Sequence, residues 1–380
     1  MNADLLNMHN RLTTEELDRL VRHQVNLIME HPEQSHTLPP IMIWGAPGIG
    51  KSSIIKSIAK ELCIDFIDVR LAQREPVDIR GLPVPGKDSV HWLISDDWPR
   101  DSKSKGIILF DELTAADRSL QVAAYEFILD RKLGSLYQVP DGWYICAAGN
   151  RVEDSAVAMT MSSALANRFL HVELREDAEL WVQWGLRHKI HPAVLGFIRY
   201  RPDLLFHQEN ENLERGWPTP RSWERVSSML LSFDKTDSVL CNKVISGLVG
   251  CQVGVEFCAF LTISEEFDNV YELMTNPSKK ISVPEKCDQK FAFCAAVVYH
   301  LWRSTSLEME EKLLSGFYRI AMKLPGDFST MMMMDAMSGN QETVSQVFSD
   351  KLFSHPKYQE WAELHGKAMR ARMNRSIVLE

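Results

Sequence analysis

The sequence predicts an α/β fold: a three-layer core built on a parallel five-stranded sheet, followed by a region that is helical throughout. Three observations point there. Short apolar runs recur at 41–44, 66–71, 107–110, 143–148 and 169–174. Helical stretches lie between them, and the strand signal fades after residue 175. Short buried strands alternating with helices make a mostly parallel sheet covered on both faces.

Taken in order, the chain opens with a helix over Thr14 to Glu30, where Leu17, Leu20, Val21 and Val25 share one face. Pro39-Pro40 stops whatever precedes the first strand. After Ile41-Met42-Ile43-Trp44 comes Gly45-Ala46-Pro47-Gly48-Ile49-Gly50-Lys51-Ser52, the complete pattern of a phosphate-binding loop, with Ser53 beside it. The helix that follows to Leu62 aligns Ile54, Ile55, Ile58, Ala59 and Leu62. A strand before the glycines and a helix after them is the setting in which backbone N–H groups cradle an anion. Lys51 would reach the β- and γ-phosphates of a nucleoside triphosphate, and Ser52 would ligate Mg²⁺.

The strand 107–110 runs into Asp111-Glu112. Asp111 is placed at the sheet edge to hold the Mg²⁺, and Glu112 one residue on to orient or deprotonate an attacking water. The plain alternative is two surface acids capping the next helix, expected over Asp117 to Arg131. The next strand ends at Gly149-Asn150, where an amide can hydrogen-bond the water or the γ-phosphate without adding charge. Helices follow at 177–188, 191–199, 221–232 and 239–260, and 274–285 reads as a linker or exposed loop. A last helical block contains four consecutive methionines, Met331 to Met334, most simply helix core. Lys367, Arg370, Arg372 and Arg375 read most simply as a solvated terminal face, with binding of an acidic partner as the alternative.

These motifs together resemble the AAA+ ATPases. Ala164-Leu165-Ala166-Asn167-Arg168-Phe169 is similar to the helix end that carries an arginine finger, and Pro218-Thr219-Pro220-Arg221 to the second-sensor motif that opens a lid helix. Residues 75–81 and 133–144 resemble the insert and hairpin of the MoxR-like branch, and Gly247 to Gly250 with Phe257 and Phe260 resembles its lid. The resemblance spans about residues 38–262, and 286–380 resemble no family. Together with the pattern along the chain this gives four expected parts: an N-terminal helical segment 1–37, a nucleotide-binding core 38–175, a helical lid 176–272 and a C-terminal extension 273–380. The resemblance implies ATP and Mg²⁺ as cofactors and a homo-oligomeric ring, hexameric in the family. Arg168 would act in the neighbour's site and Arg221 in its own. The client would be a protein, or a separately encoded partner with a von Willebrand A domain. One departure stands out: where MoxR-type chains often continue the acidic pair with Asn-Arg, this one has Thr114-Ala115. Any trans-acting role of that arginine is absent or falls to Arg118 or Arg151.

Composition narrows the alternatives. The 380 residues are 45% hydrophobic and 24% charged, an ordinary globular balance, with a formal net charge of −9 that disfavours a nucleic-acid motor or restriction-type subunit. A nucleotide-gated scaffold with little turnover is the other rival, and Glu112 speaks against it. The seven cysteines never form Cys-x-x-Cys, so reduced thiols are expected. His188 and His191 lack the companions of a metal site. Trp92 and Trp98 flank Asp96-Asp97, where packing beneath the insert is the simpler reading. No signal pattern or membrane-length apolar run is evident, and a cytoplasmic location is the expectation.

Overall fold

The computed structural model describes residues 10–151, 161, 163–208, 215–233, 237–267, 269–303, 306–338 and 345–378. It falls into two compact units, Met1–Asp177 and Ala178–Glu380.

The first unit is a six-stranded parallel sheet. Its strands are β1 (Arg11–Leu12), β2 (Ile41–Trp44), β3 (Asp65–Arg70), β6 (Gly106–Asp111), β9 (Trp143–Gly149) and β10 (Leu170–Leu174), in the order β1-β10-β2-β9-β6-β3. Five were expected; the sixth, β1, pairs only Arg11 and Leu12 with Glu173 and Leu174, too short a stretch for any periodicity to show. Every residue of β9 and the first five of β6 are buried, as the centre of a doubly covered sheet requires.

Helices α1 (Thr14–Glu30) and α2 (Lys51–Glu61) pack on each other and on the sheet, α1 through Leu17, Val21, Val25 and Ile28. Thr13 starts α1 with a capping box: its hydroxyl accepts from the Glu16 N–H at 3.2 Å while its own N–H donates to Glu16 Oε2 at 2.7 Å. That second bond is the main cause holding the Glu16 carboxyl below its ordinary pKa. The short helix α3 (Pro76–Arg80) lies within 75–81, and the hairpin of β4 (Leu82–Pro85) with β5 (Val90–Leu93) follows it. Helix α4 (Arg118–Asp130) builds a second core on the sheet, where Phe127 meets Phe110 and Trp98 at ring distances of 5.5 and 4.4 Å. Trp98 is thus a packing residue, as expected, whereas Trp92 lies exposed on the hairpin. A second small hairpin, β7 (Lys132–Leu133) with β8 (Tyr137–Gln138), precedes β9, and the single-turn helix α5 (Ser163–Ala166) precedes β10.

The second unit is helical. Helices α6 (Ala178–Arg187), α7 (Pro192–Tyr200), α8 (Pro220–Ser232), α9 (Ser238–Val249) and α10 (Cys251–Glu265) enclose one core, in which Phe197, Trp223 and Phe257 sit 5.2–5.4 Å apart. The helix expected over 239–260 is two helices. Gly250, with φ of +84°, breaks it. Helices α11 (Val270–Thr275), α12 (Cys287–Leu301), α13 (Leu307–Ala321), α14 (Gly326–Ser338), α15 (Ser345–Ser354) and α16 (Tyr358–Val378) enclose another core. The expected linker at 274–285 overlaps the end of α11, and 276–286 is neither helix nor strand. Met331, Met332 and Met333 are buried there, beside Phe317 and Trp361. Helix α7 packs along α12, and Arg199 forms ion pairs with Glu179 of α6 and the buried Asp335 of α14, so residues on either side of 272 belong to one unit. His188 lies past the end of α6, and His191 caps α7 by accepting from the Ala193 N–H. Among the described residues no cluster of three metal-ligating side chains occurs, and no helix is long and apolar enough to cross a membrane.

Gly106 opens β6 where a Cβ would stand 2.6 Å from Asp65 O and 2.4 Å from the Trp143 ring. The Gly106→Ala variant should therefore lose about 1–3 kcal/mol of stability through overpacking. Urea denaturation checks this; an unchanged midpoint would show that the sheet yields at this point.

Candidate functional site

The sheet register assembles the site. Strands β2, β9 and β6 are neighbours and run parallel, with Trp44 opposite Gly149 and Phe110 opposite Ala147. Their carboxyl ends therefore open on the same edge, where ligands of open parallel sheets bind. From that edge emerge the loop Gly45–Gly50, then Asn150, then Asp111-Glu112.

The loop turns on two glycines for different reasons. Gly45 has φ of +156°, a conformation that side-chain-bearing residues rarely adopt, and a Cβ there would also press on Ile49 Cδ1 at 2.5 Å and Leu174 O at 3.1 Å. Gly50 stands in the left-handed region at φ of +103° and forms the N-cap of α2. The first turn of α2 then presents backbone donors and the positive end of its dipole toward the loop. Ala46 and Ile49 are buried, Pro47 and Gly48 are half-buried, and Ser53 is exposed one residue into the turn.

Lys51 is buried, with its ammonium donating to Gly45 O at 2.6 Å, Ala46 O at 3.0 Å and Asn150 Oδ1 at 3.0 Å. Those partners satisfy a charge that would be costly to bury alone. Ser52 Oγ donates to Asp111 Oδ2 at 2.5 Å. An oxygen-only pair of this kind fits a small hard cation such as Mg²⁺, with Ser52 and Asp111 as the residues that would hold it. The other Asp111 oxygen accepts the Glu112 N–H at 2.9 Å. Glu112 itself is exposed with φ of +58°, a conformation that a residue with a side chain adopts only at a cost. So Lys51, Ser52, Asp111 and Asn150 are brought together, and Glu112 adjoins them.

The arginines are placed differently. Arg168 is exposed just beyond α5, where its N–H donates to Leu165 O at 3.1 Å. Arg118 is exposed at the start of α4. Arg151 is tied to Glu173, which also takes Arg11 at 3.0 Å. Arg221 belongs to the second unit, exposed in the first turn of α8 behind the Thr219 cap. Of the motif 164–169, nothing is described of the Ala164 side chain.

Two features went unread in the sequence. Thr114, noted only as a departure, is buried, and its hydroxyl donates to Asn150 O at 3.2 Å and accepts from Asn150 N–H at 3.1 Å. His171 accepts at Nδ1 from the Trp44 indole N–H at 2.9 Å, and its Nε2 lies 2.6 Å from Ala166 O. With Nδ1 accepting, the neutral ring carries its proton on Nε2 and donates it to that carbonyl. This links the residue before the phosphate loop to the turn that carries Arg168. No local pattern announces either contact, because each joins residues distant in the chain.

A parallel sheet whose central strand feeds a glycine loop, a buried lysine and a serine–aspartate pair defines a phosphate-loop nucleotide-binding domain. Residues 41–170 match the family model described as AAA, ATPase family associated with various cellular activities. The chain thus carries an AAA ATPase domain, and ATP hydrolysis is the activity of that domain class. Over 105 residues, 27% of this chain, it is 30% identical to Lon protease 2 of Borreliella burgdorferi, covering 13% of that protein. Over 171 residues, 42% of this chain, it is 25% identical to Midasin of Giardia intestinalis, covering 4% of that protein. The chain therefore spans a small part of the length of both curated relatives. Among solved structures, a mutant of RuvB from Thermotoga maritima is similar at 14% identity and a TM-score of 0.36, over 69% of this chain and 77% of that one.

The left-handed backbone at Glu112 has a measurable consequence. Glu112→Gly should raise stability by roughly 0.5 kcal/mol, the relieved strain outweighing the extra freedom of the unfolded chain. Denaturant titration checks this; a variant less stable than the parent would mean that the exposed side chain contributes to the fold.

Proposed function

We propose that this chain hydrolyses ATP with Mg²⁺ at sites shared between the subunits of a homo-oligomeric ring, hexameric as the family resemblance implies, and uses turnover to remodel or activate a partner protein in the manner of the MoxR-like branch. The observation that supports hydrolysis best is the convergence of Lys51 on Asn150 at 3.0 Å and of Ser52 on Asp111 at 2.5 Å, with Glu112 next in the chain.

Each residue has a task that its chemistry suits. The backbone N–H groups of residues 45–53 other than Pro47, and the Lys51 ammonium, bind the phosphates. Ser52 and Asp111 would hold the metal, which would screen phosphate charge. Glu112 accepts a proton from water, and Asn150 orients that water or the γ-phosphoryl oxygens through its neutral amide. Arg168, exposed and planar in its charge, enters the neighbour's site and stabilises the transferring phosphoryl group. Arg221 couples the lid to the nucleotide in its own subunit. A protein client, with or without a separately encoded von Willebrand A-domain partner, accords with the net charge of −9 better than nucleic acid does.

Lys51→Ala should abolish binding of a fluorescent ATP analogue, whereas Glu112→Gln should bind it normally and release phosphate at least about 100-fold more slowly. Equal loss of binding in both would sink the assigned roles. Arg168→Ala should bind ATP yet turn over poorly, and mixing it with Lys51→Ala subunits should restore part of the activity. Mixtures that recover nothing would argue against a site completed by the neighbour.

A further inference from the structure

We infer that Thr114 is a positioning residue for hydrolysis, its buried hydroxyl tying the loop that carries Glu112 to the strand end that carries Asn150. The inference rests on the reading of Glu112 and Asn150 as hydrolytic groups.

The loop after β6 leaves the sheet at Asp111 and enters α4 at Arg118. Two contacts fasten it to β9. Leu113 N–H donates to Ala148 O at 3.0 Å, extending the sheet pairing by one bond. Beyond that the strands part, and the Thr114 side chain takes over. Its hydroxyl donates to Asn150 O at 3.2 Å and accepts from Asn150 N–H at 3.1 Å, so one side chain satisfies both backbone groups of Asn150.

The backbone of Asn150 is held in this way, and its amide oxygen stands 3.0 Å from the Lys51 ammonium. The loop's far side is braced independently: Gln121 Nε2 donates to Leu113 O and Ala116 O, both at 3.2 Å. Gly149 makes the approach possible. A Cβ there would stand 2.8 Å from Thr114 Oγ1 and 2.9 Å from its Cγ2. Thr114 touches neither nucleotide-binding glycines nor Asp111 in these bonds; its effect passes through Asn150. Valine has nearly the same shape and offers neither donor nor acceptor, so Thr114→Val leaves the Asn150 N–H and C=O without their partner.

The test uses the full chain, with phosphate release at saturating ATP and Mg²⁺ and binding of a non-hydrolysable fluorescent ATP analogue measured side by side. Thr114→Val should lower kcat about tenfold, the weight of losing one to two hydrogen bonds, with analogue affinity held within about twofold. Thr114→Ser, which keeps the hydroxyl, should stay within about twofold of the parent in both. In an Asn150→Ala background, Thr114→Val should add less than about twofold, because its effect runs through the residue already removed.

Parental kcat in Thr114→Val overturns the inference, as does serine as damaging as valine or a full tenfold loss in both backgrounds. An Asn150→Ala protein with parental turnover would remove the site reading together with this inference. A crippled Asn150→Ala beside an active Thr114→Val would remove this inference alone. If Thr114→Val does not fold, Gly149→Ala presses on the same contact from β9 and should show the same kcat loss with binding retained; parental turnover there overturns it equally.

Discussion

Parallel pairing of three adjacent strands is the constraint on which the site depends. Because β2, β9 and β6 run the same way, their carboxyl ends are obliged to share an edge. The phosphate loop, the amide and the acidic pair come from segments some 40–100 residues apart, yet no further device is needed to bring them together. The bonds that finish the arrangement are local and polar. Lys51 reaches back to Gly45 O and across to Asn150, and Ser52 reaches across to Asp111. Strand burial supplies the rigidity from which such contacts gain directional accuracy, since the first five residues of β6 and all of β9 are closed off from water.

The cost of this arrangement is concentrated at the sheet edge that carries the candidate site. Glu112 holds a backbone conformation that glycine would adopt more easily, and Gly45 at φ of +156° holds one that disfavours any side chain. The helices that support the site show the reverse pattern. Thr13 and Asp117 cap α1 and α4 by ordinary local bonds, and the Ser119 hydroxyl and Leu120 N–H that Asp117 accepts hold its carboxyl below the usual range. Strain at the sheet edge is thus carried by a conventional and well-satisfied frame.

Most of this was legible in the sequence because it is local. Gly45 to Ser52 is contiguous, Asp111-Glu112 directly ends an apolar run, and the face Leu17–Val21–Val25 repeats with helical period. What was not legible is set by distance along the chain. Nothing near residue 114 says that its hydroxyl will meet residue 150, and nothing near Trp44 says that its indole will find His171. Strand β1 is only two residues long, below the length at which alternation can be read. The break at Gly250 was missed for a related reason: the apolar pattern continues through it, and only the positive φ ends the helix. Arg168 and Arg221 were legible as motifs, and both are exposed.

The methionine run of α14 carries a consequence of another kind. Met331, Met332 and Met333 are sealed in the core of the second unit beside Phe317 and Trp361. Once folded, their thioethers are screened from peroxide; in the nascent chain they are not. Conversion to sulfoxide at that stage would place three polar, stereogenic groups where the fold admits only apolar ones. The oxidative history of the chain before it folds therefore bears on whether this half of the molecule can close at all.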